Sequence, residues 1–229
     1  MSKLSPEDIL DVLNKLYAKS LDGIPKISKP VTILADDYLK KHTDTNKAAK
    51  ALIRNQIIKC TTSGFITGFG GIVTLPVTIP ADISSVLYVQ MRMIAALAYM
   101  GGYELDSDQT QTLVYACLAG VSVNGFIKHF GVQFGNKFAN ACIKKIPGKA
   151  LNAINKKIGF RFITKFGEKG LINLGKMIPI VGAAINGGFD LGETKIIAAR
   201  AYKWFIKNDF TNQNESKEED IIDVTSSDD

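Results

Sequence analysis

Apolar residues recur along this chain at helical spacing, and no run alternates apolar and polar residues long enough to read as a strand. The first clear case is Ile9, Leu10, Leu13, Leu16 and Tyr17. It is preceded by Ser5-Pro6-Glu7-Asp8, which supplies an N-cap serine, a proline at the first helical position and acids in the first turn. Residues 21–30, with Gly23, Pro25 and Pro30, read as a linker. A second helix is predicted over Val31 to Lys41. A third starts near Asp44, where Ala48, Leu52, Ile53, Gln56 and Ile57 keep the period.

The next stretch is different in kind. From Cys60 to Ala81 there are 22 residues without a charge. That length suits a membrane span, which needs ~20 apolar residues. The content does not, because its glycines together with Pro76 and Pro80 would break an ordinary core helix. The stretch therefore reads as a Gly/Pro-rich apolar hairpin that is buried in the core or enters a bilayer. After it comes the clearest helix of the chain, Ala81 to Met100, closed by Gly101-Gly102. Another is predicted from Ser107 to Phe130, within which Gln109 to Ile127 carries no charge. Shorter helices follow, and the last spans Asp190 to Lys207. The pattern predicts an all-α protein, a single multi-helix bundle with apolar hairpins. Its parts are a helical extension over 1–44, a main helical domain over 45–207 and a disordered tail over 208–229.

Charge sharpens that division. The net charge is +6, but residues 208–229 hold eight acids against Lys217, so the tail carries −7 and the body +13. A basic body points to an anionic partner. Cys60, Cys117 and Cys142 are an odd set in apolar surroundings and read as buried, reduced thiols. The charged N-terminal residues contain no apolar h-region of a signal peptide, so the expected location is cytoplasmic and peripheral to the membrane face.

Candidate chemistry is sparse. Asp82 and Asp190 each stand where a helix is predicted to start, and each is followed ten residues later by an arginine, Arg92 and Arg200. The shared offset raises the prospect of an internal repeat. Tyr88, Gln90 and Arg92 lie on an otherwise apolar helix, and a buried guanidinium needs compensation. Asp190, Glu193 or Asp82 would supply it if the set is structural, and a lipid or ligand phosphate if it is functional. His42 and His129 are far apart and not at metal-ligand spacing with a cysteine. No nucleophile elbow, zinc motif or phosphate-binding loop is present. Neither a metal nor a cofactor is expected. A hydrolase or transferase built on Asp82, Arg92 and Asp190 is the enzymatic alternative.

From Lys128 to Lys176 the chain holds ten lysines and Arg161 against one acid, Glu168. Leu151, Ile154, Ile158, Phe162 and Phe166 keep helical spacing there, beside a stripe of Lys157, Arg161, Lys165 and Lys169, with Lys156 adjoining. A basic amphipathic helix suits an anionic membrane surface. A plain solvated face is the alternative, since 24 of the 28 basic residues are lysine. Scarce arginine and the lack of a reader motif disfavour nucleic acid.

Gly64-Phe65 through Gly71, Thr74-Leu75-Pro76, Ile79-Pro80-Ala81-Asp82, Gln90-x-Arg92 and Ala95 to Gly102 resemble the signature of the EcsC protein family. Ile178-Pro179-Ile180-Val181-Gly182 and Gly187-Gly188-Phe189-Asp190 resemble its C-terminal block. The resemblance covers about residues 45–207. It implies a membrane-proximal helical module, with a transporter or other membrane protein as a candidate partner, and it carries over no catalytic residue. A looser likeness links Pro80-Ala81-Asp82 and the following Gln90 to a helical domain appended to membrane-associated bacterial GTPases. The reading is thus a non-enzymatic, membrane-associated accessory or effector protein, with a soluble protein-interaction module as the alternative.

Overall fold

The computed structural model describes residues 5–61, 81–129, 142–166 and 183–210. Their helices are α1 (Pro6–Asp22), α2 (Val31–Lys41), α3 (Thr45–Thr61), α4 (Ala81–Met100) and α5 (Asp108–Ala119). After these come α6 (Asn124–His129), α7 (Gly148–Phe166) and α8 (Ala183–Ala201), which runs into a π-helical turn, Tyr202–Ile206. No strand occurs among the described residues, where Ile24 and Ser28 form an isolated bridge inside the first linker. The protein is an all-α bundle.

The axis of the bundle is α4. From Ser85 to Met100 every residue but Val86 and Tyr99 is buried, the expected condition of a helix that is apolar on all sides. Helices α1, α2, α3, α5, α8 and the π-helical turn all pack against it. In turn α7 bridges α1 and α5. Residues 5–44 share the core of the main domain: Leu13, Leu16, Val31 and Ala35 belong to the same cluster as Met91, Ile94 and Leu97. No described helix is long and apolar enough to cross a membrane. The Gly/Pro-rich hairpin between Cys60 and Ala81 lies almost wholly outside the described residues.

Local signals account for the element ends. Ser5 accepts from the Asp8 amide at 3.1 Å while Asp8 accepts from the Ser5 amide at 2.8 Å, a reciprocal cap with Pro6 at the first helical position. At the end of α4, the carbonyl of Phe205 occupies the space where a Cβ of residue 101 would stand, so only glycine fits there. Gly159 plays the same part inside α7, where a Cβ would meet Pro6 of α1 at 2.7 Å. The predicted helix from Ser107 to Phe130 is instead two. Gly120 adopts φ +67°, ends α5 in the left-handed conformation and sends the chain into the short α6.

The C-terminal boundary also moves. Trp204, Phe205 and Phe210 are buried together, with ring centroids 5.4 Å apart for Trp204–Phe210 and 6.5 Å for Phe205–Phe210. Tyr103 donates to the side chain of Asn208 at 2.6 Å. The packed body thus extends to Phe210, three residues past the expected Lys207, and residues 211–229 lie outside the description.

Candidate functional site

The polar set on α4 is built around Arg92, which is 4% exposed. Its Nη1 donates to the carbonyl of Ser20 at 2.9 Å and its Nη2 to the carbonyl of Lys29 at 2.6 Å. One turn earlier Tyr88 faces the same guanidinium, 3.4 Å from oxygen to Nη1 and with the charge 5.5 Å from the ring centroid. The Tyr88 hydroxyl pairs with Ser28 Oγ at 2.7 Å, and that Oγ accepts from the amide of Ile24 at 2.9 Å. The described partners include backbone as well as side chain, and the side chains of the expected acids Asp82 and Asp190 lie outside the described residues. Among the described residues, Arg92 spends its donors on two carbonyls, one in the last turn of α1 and one at the far end of the 23–30 linker. Burial lowers its pKa, opposed by Tyr88. Burial, and then the charge of Arg92, lowers that of Lys59 on α3.

Arg200 has a matching role on α8. Its Nη1 donates to the carbonyl of Cys117 at 2.7 Å, in the last turn of α5. Each arginine thus places a cation and a donor at the C-terminus of another helix, where carbonyls lack intrahelical partners and the dipole is negative. The shared ten-residue offset from Asp82 and Asp190 ends in a shared structural job. Gln90 serves packing as well: its Nε2 donates to Thr194 Oγ1 at 2.9 Å, a buried bond that joins α4 to α8.

The two aspartates fare differently at the level of backbone. Asp82 does stand at the start of α4, whereas Asp190 lies inside α8, which begins at Ala183 and passes through Gly187 and Gly188. The helix start expected at Asp190 is therefore wrong. The side chains of both lie outside the described residues. Among described residues no three His, Cys, Asp or Glu side chains group as a metal site would. Cys60 and Cys117 are buried, and burial pushes the Cys117 thiol up to about 12, so it is inert as a nucleophile. Cys142 departs from expectation by being only half-buried.

The basic segment forms α7 as its period predicts. Leu151, Ile154, Ile158 and Phe162 are buried against α1 and α5. Lys149, Lys156, Lys157 and Arg161 are exposed on the other side, and the helix sequence contains no acid. Lys144 and Lys145 precede it, both exposed, with Lys144 paired to Glu104 at 2.7 Å. The side chain of Lys165 and all of Lys169 lie outside the described residues. Sequence spacing had passed over one member of this face. Phe160 is 50% exposed among the cations. A helical wheel carries the signal for it, since Phe160 falls opposite Ile158 and Phe162, not in line with them.

No family model, curated protein or solved structure matches the chain.

Proposed function

We propose that this chain is a non-enzymatic accessory or effector protein that docks on anionic lipid through the exposed face of α7. The observation that carries the reading is a helix with five basic residues and no acid, whose apolar side is consumed by the core and whose Lys149, Lys156, Lys157 and Arg161 are exposed at the surface. Basic residues held near an anionic bilayer contribute roughly 1 kcal/mol each. Three or four of them give useful, salt-sensitive attachment without any segment crossing the membrane. The body's +13 over residues 1–207 adds long-range attraction. The motifs similar to the EcsC family support the same membrane-proximal setting, and membership of that family is part of the proposal.

The burial of Arg92 weighs against the enzymatic alternative. Arg92 is buried and donates to backbone carbonyls, so its charge is engaged in holding the linker and not turned toward a substrate. Liposome flotation tests the docking reading directly. The full chain should float with vesicles containing phosphatidylserine and stay behind with phosphatidylcholine alone. Lys156→Gln/Arg161→Gln should reduce recovery at unchanged melting temperature. Equal recovery on both vesicle types sinks the reading.

A further inference from the structure

We propose that Phe160 enters the bilayer when α7 docks, so that this face recognises a lipid surface and not polyanions in general. The inference rests on the docking reading and adds to it. Successive residues of an α-helix are turned by about 100°. On that wheel the exposed side of α7 is centred on Phe160, with Lys149 and Lys156 within about 40° on one side and Lys157 and Arg161 within about 100° on the other. The ring is 50% exposed, while Ile158 and Phe162, two residues to either side, are buried in the core. The exposed half of the ring leaves apolar surface in water that a hydrocarbon layer would cover.

Its surroundings select the partner. Lysine and arginine side chains are long enough to keep their charges at headgroup level while a central ring reaches the acyl boundary, the arrangement of interfacial helices. Charge complementarity commits the face to an anionic occupant. Phenylalanine then separates lipid from other polyanions, because a bilayer offers hydrocarbon beneath its charges. Stacking on nucleobases is the competing use of such a ring. It is disfavoured here because single-strand binders stack successive bases on several rings, and among the described residues Phe160 is the one exposed aromatic.

The experiment uses the full chain and the tryptophan it already contains. Trp204 is fully buried in the π-helical turn and serves as an internal control. Phe160→Trp adds a second tryptophan on the α7 face. With phosphatidylserine vesicles whose acyl chains are brominated, the Phe160→Trp protein should show a blue-shifted, quenched component that wild type lacks. Phe160→Ala should bind such vesicles about tenfold more weakly at ~0.15 M salt, and closer to wild type at low salt where charge dominates. Unquenched Phe160→Trp emission together with unchanged Phe160→Ala binding would overturn the insertion and leave charge-only docking intact. Absence of wild-type binding to any anionic vesicle would remove the docking reading and this inference with it. Tight binding of an oligothymidylate that Phe160→Ala weakens would overturn the lipid assignment in favour of base stacking.

Discussion

Arg92 terminates a helix to which it does not belong: its Nη1 donates at 2.9 Å to the carbonyl of Ser20, in the last turn of α1. The same side chain reaches Lys29 at the far end of the linker, so one guanidinium fixes where α1 stops and where α2 begins. Planar, diverging donors suit two carbonyls in a way that an ammonium does not.

Arg92→Ala should therefore destabilise the fold by about 3 kcal/mol, since it leaves two buried carbonyls without a donor. For a chain of this size that is a fall of roughly 6–12 °C in Tm. Arg92→Lys should recover little of it. Arg161→Ala, at the exposed face of α7, should stay within about 0.5 kcal/mol of wild type. Thermal melts of the three variants check this, and equal values for Arg92→Ala and Arg161→Ala would contradict the latch.

Two glycines should respond in opposite directions. A Cβ at position 101 would collide with the Phe205 carbonyl, which is backbone and cannot swing aside, so Gly101→Ala should lower stability by about 1–3 kcal/mol or more. Gly192 sits inside α8 with nothing within 4 Å of an added Cβ. There alanine should stabilise by up to about 1 kcal/mol through helix propensity alone. Denaturant melts of the pair test both signs in one experiment.

Helix starts were legible in the sequence wherever the signal was local. Ser5, Pro6 and Asp8 cap α1 through bonds spanning three residues, and Gly101 marks the close of α4. The buried stripe of α7 was legible for the same reason. What stayed hidden depended on distant partners. Gly120 ends α5 with help from Arg200, eighty residues away, and a lone glycine in an uncharged run does not announce that. The carbonyls that accept from Arg92 are peptide groups, which every residue carries and which leave no mark in a sequence. Asp190 misled because Asp after two glycines resembles a helix start, yet the helix continues upstream through them.

The buried hydroxyls and thiol set an alkaline limit. Burial raises the pKa of Tyr17, Tyr103, Tyr115 and Cys117 above their ordinary values of 10.0 and 9.0. As pH rises past 9 to 10 the unfolded chain releases these protons while the folded chain keeps them. The unfolded state then binds fewer protons, and stability falls with increasing pH. The Tm should drop steadily from about pH 9 upward. Tyr103→Phe should make that decline shallower, because one of the raised groups is gone. A profile that stays flat to pH 11 would mean these groups ionise as easily folded as unfolded.

Where the chain is cut should separate packing from charge. Residues 211–229 carry seven acids against Lys217, a charge of −6 that can compete with anionic lipid for the basic body. A chain ending at Phe210 should bind phosphatidylserine vesicles more tightly than the full chain at low salt. The difference should vanish near 1 M salt, where the screening length is only about 3 Å. A chain ending at Lys207 loses that charge and also loses Phe210, which is 1% exposed against Trp204 and Phe205. Removing a buried phenylalanine costs about 3–5 kcal/mol, so this shorter chain should melt well below the one ending at Phe210. Coincident melting curves for the two truncations would show that the aromatic cluster does not hold the C-terminus. Unchanged vesicle affinity on loss of 211–229 would show that its acids do not reach the lipid-facing surface.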